Sequence, residues 1–349
     1  MIPVLLLAVI AAARRQAPDE EASVADLFAR VSGSVVTIRA SGPTTAIGAD
    51  GRPVSAEGVG SGVLVSEEGR ILTAAHVVHL ADVVAVEFSD GSLRPAVVEG
   101  SAPEVDLALV RVTEPPPRGA VVARLGDSSR PRIGSRVLVI GAPLGMSRTL
   151  TAGHLSARRT LAPPFPAGTP LELLQTDAAV NAGNSGGPMF DAAGDVVGIV
   201  SFVLTRSGGS DGLGFAVTSE VARELLLKRP PFWSGADYVL LAGGTARLFH
   251  LPTGRSGLLV QRVARGSPCA RLGIRGGTIP ATIAGRELLL GGDVILEAAG
   301  RRFDEENLLA VRDAIAELAP DDELRVLILR GGETIELKAR FGSLVDRPR

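Results

Sequence analysis

The segment Gly183-Asn184-Ser185-Gly186-Gly187-Pro188 holds the residue types that acyl transfer needs at a tight turn. A nucleophilic hydroxyl must sit where neighbouring backbone N–H groups point at one spot, the place where a tetrahedral oxyanion develops. Glycine before the serine permits the backbone conformation that aims those groups, and glycines after it leave room for a substrate backbone. The N–H groups of Gly183 and Ser185 are the expected donors. Read alone, the hexapeptide is also compatible with a Gly-rich hairpin turn. A serine is a weak nucleophile unless a base takes its proton. The chain has four histidines, and His76 stands in Leu72-Thr73-Ala74-Ala75-His76-Val77-Val78, flanked by small residues at the end of an apolar stretch. The third role is a carboxylate that fixes the imidazole tautomer and stabilises the imidazolium. Asp106, in Val105-Asp106-Leu107-Ala108-Leu109, is one acid entering an apolar run, where desolvation is costly without a partner. Singly, His76 reads as a structural histidine and Asp106 as a turn residue. Together, in the order His76, Asp106, Ser185, they have the chain order of the chymotrypsin triad and not that of subtilisins or α/β-hydrolases.

Positioning such groups is a task for the short apolar segments around them. Ser34–Arg39, Gly60–Val65, Arg70–Thr73, Val83–Phe88, Ala108–Val112, Arg136–Ile140, Val196–Val203 and Gly214–Val217 read as strands closed by Gly, Pro, Asp or Ser. Ser66-Glu67-Glu68-Gly69 reads as a hairpin turn. Strands at this density without alternating helices predict an antiparallel barrel or sandwich, with a helix at Asp26–Val31 before it and another at Ser219–Lys228 after it. Arg229-Pro230-Pro231 ends that second helix and marks a domain boundary. Beyond it come strands at Tyr238–Ala242, Gly257–Val263 and Asp293–Glu297, a turn at Ser267–Gly273, and a helix at Glu305–Leu318 with Asp304 as its expected N-cap. Leu324–Arg330 and Thr334–Arg340 alternate apolar and polar residues around Gly331-Gly332, a two-residue hairpin signal. This half is α+β. The expected organisation is a leader or anchor over residues 1–17, a catalytic unit over 18–228, a linker over 229–235, a smaller unit over 236–341 and a tail over 342–349.

Composition narrows the function classes. At 349 residues the chain predicts two domains. Net charge is −2 and aromatic residues are 3%, which disfavours both a basic field for nucleic acid and a base-stacking platform. The single cysteine, Cys269, excludes an intramolecular disulfide and a cysteine-built metal site, and reads as a buried small hydrophobe. No His, Asp or Glu cluster has ligand spacing and no phosphate loop is present, so neither metal nor nucleotide is expected. The apolar run Ile2–Ala13 would span about 18 Å as a helix at ~1.5 Å per residue, short of a ~30 Å hydrocarbon core. With Ala11-Ala12-Ala13 at its end, the run reads as a secretory leader, with an uncleaved anchor as the alternative.

Thr73-Ala74-Ala75-His76-Val77-Val78, Asp106-Leu107-Ala108-Leu109, Thr176-Asp177-Ala178-Ala179 and Gly183–Pro188 resemble the HtrA (Deg) family of trypsin-like serine proteases. Gly60-Ser61-Gly62-Val63 and Gly153-His154-Leu155-Ser156-Ala157 also match. The resemblance covers residues 30–228 closely and 236–341 more loosely. It implies a mainly β fold, with a chymotrypsin-like double β-barrel followed by a small α+β PDZ-like domain. It further implies ATP-independent endoproteolysis of unfolded or partly folded polypeptides, and a homotrimer; the leader makes the periplasm the expected compartment. Asn184 replaces the acid that pairs with a new N-terminus in digestive trypsins, so loop reordering is the expected switch. Ala179, six residues before the serine, puts no acid at the pocket base, and predicts cleavage after small or medium aliphatic residues. Ser201, Phe202, Val203 and Phe215 are the expected pocket walls. Arg158 and Arg159 fall where the family places a regulatory sensor loop.

In the second half, Gly266–Ile274 and Gly291–Leu296 resemble PDZ signatures, which implies capture of a C-terminal peptide as an added strand. The carboxylate loop, near Ala236-Asp237-Tyr238-Val239, departs from the pattern, and Asp237 would repel a terminal carboxylate. Gly276–Leu290 is an insertion without an assigned role. Two other readings stay open: a peptide-binding chaperone or scaffold with a silent protease domain, and a membrane-anchored signalling protease of one substrate.

Overall fold

The computed structural model describes residues 20–47, 53–161, 171–203, 211–228, 230–252, 254–283, 285–304 and 307–345. The expected leader and anchor lie outside these residues. Strands β1 (Val35–Ile47), β2 (Pro53–Leu64), β3 (Arg70–Thr73), β4 (Val83–Glu87), β5 (Leu93–Ala102) and β6 (Leu107–Val112) close into an antiparallel barrel in the order β1-β2-β3-β6-β5-β4. A second closed barrel follows, built from β7 (Arg136–Gly141), β8 (Thr149–Leu161), β9 (Leu171–Thr176), β10 (Pro188–Phe190), β11 (Val196–Val203) and β12 (Gly214–Thr218), ordered β10-β11-β12-β9-β8-β7. This is the mainly β, chymotrypsin-like double barrel that the resemblance implied.

The strands that face the other barrel explain their own sequences. Along β6, Ala108 and Val110 point into the first barrel, while Leu107 and Leu109 join the core between barrels. Along β7, Val137 and Val139 fill the second barrel and Leu138 and Ile140 fill the same shared core. Side chains alternate across a strand, so a strand buried on both faces reads as an unbroken apolar run. Helix α1 (Glu20–Val31) lays Leu27 and Val31 on the shared core, and Arg30 donates to Ala193 O at 2.8 Å.

The sequence pattern misses β5, β8, β9 and β10. Pro95, Glu99 and Gly100 interrupt β5, and β8 carries Arg158 and Arg159. These two arginines lie in the β8 strand. Arg158 pairs with Glu172 on β9 at 2.9 Å, and Arg159 donates to Gln175 Oε1 at 3.1 Å. A helix, α2 (Ala75–Val78), follows β3, and α3 (Ser219–Ala222) closes the second barrel, widening to π geometry through Lys228.

The third unit holds β13 (Ala236–Leu241), α4 (Gly243–Leu248), β14 (Gly257–Val263), α5 (Pro268–Leu272), β15 (Ile279–Ile283), β16 (Arg286–Leu290), β17 (Val294–Ala298), β18 (Arg301–Arg302), α6 (Leu308–Ala316), β19 (Glu323–Arg330), β20 (Glu333–Arg340) and α7 (Phe341–Leu344). Its sheet runs β13-β14-β17-β19-β20, with β18 beside β17. Gly331 and Gly332, at φ 59° and 87°, make the β19–β20 hairpin turn. Where a plain turn was expected at Ser267–Gly273 there is α5, its N-terminus capped by Ser267 Oγ and its C-terminus stopped by Gly273 at φ 87°. Asp304 is not the N-cap of α6; that position is Asn307, whose N–H donates to Asp304 Oδ1 at 2.8 Å. The Gly276–Leu290 insertion is the ribbon β15–β16, separate from the main sheet. Buried Gln261 on β14 holds it with its side-chain amide: Leu289 N–H donates to Gln261 Oε1 at 2.7 Å, and Gln261 Nε2 donates to Leu289 O at 3.3 Å.

Candidate active site

Pairing of β3 with β6, Thr73 opposite Ala108, brings the residues after β3 beside those before β6. Here α2 starts without a side-chain cap of its own, and a helix start leaves N–H groups unpaired. Asp106 supplies the partners from across the ladder. Its carbonyl accepts from Ala75 N–H at 3.2 Å and its Oδ1 from His76 N–H at 3.0 Å. Asp106 sits in the left-handed region, φ 55°, where aspartate is one of the few tolerated residues. Its carboxylate is thereby fixed on the backbone of the histidine it faces.

The His76 ring meets both carboxylate oxygens, with Nδ1 at 3.0 Å from Oδ1 and 2.9 Å from Oδ2. An ionised carboxylate only accepts, so Nδ1 carries the hydrogen and Nε2 keeps a free lone pair. The ring is about half exposed (53%). It is oriented from behind and open in front.

Ser185 lies between Gly183 (φ 98°) and Gly186 (φ 84°), just before β10. Its Oγ donates to the Ser201 carbonyl at 3.2 Å, and no hydrogen bond joins it to the His76 ring in this structure. Neither the Gly183 nor the Ser185 N–H has a hydrogen-bond acceptor among the described residues. Ser201 is the link between nucleophile and acid. The β11–β12 ladder shifts register between Val200 and Phe202, and the bulge leaves Ser201 unpaired with its hydroxyl on Asp106 Oδ2. Such bulges re-aim side chains next to active sites. The sequence reading assigned Ser201 to a pocket wall. It is 2% exposed and its side chain is spent on Asp106. Only the polar residue in an otherwise apolar strand could have signalled this.

Apart from Ser201, the residues expected as pocket walls are apolar. Phe202 (38% exposed) stacks on buried Phe215 with centroids 4.9 Å apart and planes at 18°. Ala179 is half-buried, and its carbonyl accepts from Thr151 Oγ1 at 2.9 Å. Val203 ends β11 opposite Gly214, and its side chain is outside the described residues. Val180, absent from the sequence reading, is 2% exposed and packs where a Cβ on Gly214 would come within 2.6 Å of its Cγ2. Asn184 is 1% exposed, with its Nδ2 3.4 Å from Ala179 O. An amide can be buried there without a counter-charge.

The third unit touches the segments that carry His76 and Asp106. His79 Nε2 lies 2.9 Å from Ala236 O, and Trp233 Nε1 donates to His79 O at 2.8 Å. Arg312 on α6 pairs with Glu104 at 2.8 Å, and Arg265 pairs with Asp82 at 3.3 Å. At the expected carboxylate loop, Asp237 pairs with Arg262 at 2.8 Å, which offsets the repulsion anticipated for a terminal carboxylate. Burial pushes the Cys269 thiol up to about 11, so it stays protonated at neutral pH, 3.3 Å from Tyr238 Oη. Among the described residues no group of His, Cys, Asp and Glu could hold a metal ion, and no helix is long and apolar enough to cross a membrane.

A family profile described as a trypsin-like peptidase domain matches residues 60–199. A probable periplasmic serine endoprotease, DegP-like, of Halomonas elongata is 33% identical over 306 residues, covering 86% of this chain and 59% of its own length. One of the same description from Pseudomonas putida is 35% identical over 302 residues, covering 84% and 58%. The chain thus spans less than two thirds of these curated relatives. Among solved structures, the HtrA-type protease AlgW with a tripeptide aligns at TM-score 0.51 and 30% identity, over 90% of this chain and 95% of its own. A variant of AlgW with a decapeptide aligns at TM-score 0.53 and 28% identity, over 90% and 96%.

Proposed function

This chain belongs to the HtrA family of trypsin-like serine proteases, and from that premise we propose that it is an ATP-independent serine endoprotease acting on unfolded or misfolded polypeptides in the periplasm. In this reading Ser185 Oγ attacks the scissile carbonyl. His76 Nε2 takes its proton and later returns it to the leaving amine. Asp106 holds Nδ1–H and stabilises the imidazolium, and the N–H groups of Gly183 and Ser185 receive the oxyanion. The observation that carries the reading is the two-oxygen grip of Asp106 on His76 Nδ1, linked through Ser201 to Ser185 Oγ. That grip leaves Nε2 as a base facing outward. Substrate arrival must turn Ser185 Oγ from the Ser201 carbonyl toward that nitrogen.

The apolar character of Ala179, Val180 and Phe215 supports cleavage after Ala, Val, Ile or Leu, because none of the three offers a counter-charge to a buried cation. The third unit is assigned, in the same reading, to docking of an apolar peptide terminus. An apolar cavity of about 220 Å³, lined in part by Tyr238, Leu258, Val311 and Ile315 beside β13 at the end of the sheet, supports this. A leader that exports the chain, and a homotrimer as the assembly, complete the proposal; sedimentation of the purified protein tests the latter.

Labelling by a fluorophosphonate probe, lost in Ser185→Ala, tests the activity. An unlabelled, folded wild-type chain overturns it in favour of a peptide-binding scaffold. Sequencing the products of a digested, denatured proteome tests the specificity, and predominant cleavage after Arg or Lys rejects the aliphatic assignment.

A further inference from the structure

Ser61 is fully buried in β2, in the Gly60-Ser61-Gly62 segment that the triad does not use. Its hydroxyl lies between groups of the other barrel. It donates to Gly183 O at 2.6 Å and accepts from Ala142 N–H at 2.8 Å. Its backbone N–H donates to Ser185 O at 2.8 Å, and its carbonyl accepts from Thr73 Oγ1 at 2.7 Å. Every polar atom of this residue is engaged, and two of the bonds reach the turn that carries the nucleophile.

Three consecutive peptide units matter at that turn. The first carries the Gly183 N–H and the third carries the Ser185 N–H, the two oxyanion donors. The middle unit, between Gly183 and Asn184, has both ends tied: its carbonyl to Ser61 Oγ and its N–H to Asn181 O at 3.0 Å. With the middle plane fixed, the planes on either side lose most of their freedom to rotate away from a common point. The space is tight enough to demand glycine around it. A Cβ on Gly141 would come within 2.9 Å of Ser61 Oγ, and one on Gly187 within 3.2 Å of Ser61 Cβ.

We propose that Ser61 is a positioning residue for the oxyanion turn: from the first barrel, its hydroxyl holds the Gly183 carbonyl so that the Gly183 and Ser185 N–H groups converge on one oxygen. This rests on reading Ser185 as the nucleophile. Preorganised donors act on the transition state more than on bound substrate. Loss of the hydroxyl therefore lowers kcat and leaves KM nearly alone.

The test is Ser61→Ala in the full chain, measured by peptide hydrolysis and by the rate of fluorophosphonate labelling. The phosphonyl oxygen of that probe occupies the oxyanion site. Removing one direct donor costs about 10²–10³ in kcat, so loosening both by way of their neighbour is expected to cost about 10- to 100-fold, in hydrolysis and labelling alike. KM should stay within about twofold. Ser61→Cys, which keeps a weak donor in similar volume, should fall between Ser and Ala, and it serves alone if the alanine variant does not fold. Equal labelling rates in wild type and a folded Ser61→Ala overturn the assignment while leaving the protease reading intact. So do kcat and KM worsening together, with Cys no better than Ala. A wild-type chain that the probe never labels removes both.

Discussion

His76 and His79 stand three residues apart on one turn of chain, and their neighbours give them opposite tautomers. His76 gives its Nδ1–H to a carboxylate and keeps Nε2 bare toward solvent. His79 gives its Nε2–H to the Ala236 carbonyl at 2.9 Å, which can only accept, and its Nδ1 takes the Ser101 hydroxyl at 2.9 Å. One imidazole is left with a nitrogen to spend and the other has none. Burial lowers the His79 pKa below the ordinary value of 6.5, against the opposing pull of Asp237 and Glu104 and with the help of Arg262. A histidine becomes a base here by what faces one nitrogen and by what is kept away from the other.

The largest expected effects belong to the first ring. Asp106→Asn should lower kcat about 10⁴-fold, because an amide can donate to Nδ1 and so favours the tautomer with Nε2 protonated. His76→Ala and Ser185→Ala should match or exceed that loss in the same peptide assay. For the second ring, His79→Ala should cost about 1–3 kcal/mol in denaturant unfolding, as Ser101 and Ala236 lose their partner, while kcat falls far less than in His76→Ala. Equal losses of kcat at the two positions would erase the distinction.

A subtler effect is one of pH. The docked ring is neutral, so protonation favours separation of the third unit from the barrel. Docking is at full strength above about pH 6.5 and weakens as pH falls below it toward the lowered value of the buried ring. The charged groups facing His79 are already paired, Asp237 with Arg262 and Glu104 with Arg312. Trp233, the only tryptophan, hydrogen-bonds His79 O and reports the event. Its emission should shift red between pH 7.5 and 5 in wild type and not in His79→Gln, which keeps a donor for Ala236 without titrating. An identical shift in both proteins assigns the change elsewhere. Smallest of all, Arg312→Ala removes a half-exposed ion pair worth up to about 1 kcal/mol, and should move the unfolding midpoint only slightly.

Residues that act through type and immediate neighbours stand out in one dimension: Ser185 among glycines, and Asp106 at the mouth of an apolar run. The barrels are legible for a related reason, since β6 and β7 are buried on both faces and read as solid hydrophobic blocks. Features that depend on register are hidden. Ser201 reaches Asp106 only because a bulge turns it, and Ser61 meets Gly183 only because two barrels close on each other. The strands β8 and β9 are masked by charges that pair across the ladder, as Arg158 does with Glu172. Asp237 looked hostile to a carboxylate until β14 placed Arg262 against it.

The Gln261 amide gives the third unit a modular attachment point. An appendage held outside the main ladder, by the Gln261 side chain and by the Gly277 N–H on the carbonyls of Val260 and Gln261 at its base, can lengthen, shrink or change its tip without shifting any strand it leans against. Exposed Ile279 already sits on that ribbon. Variation between close relatives in this unit therefore has a ready outlet at β15–β16, where novelty costs the parent scaffold little.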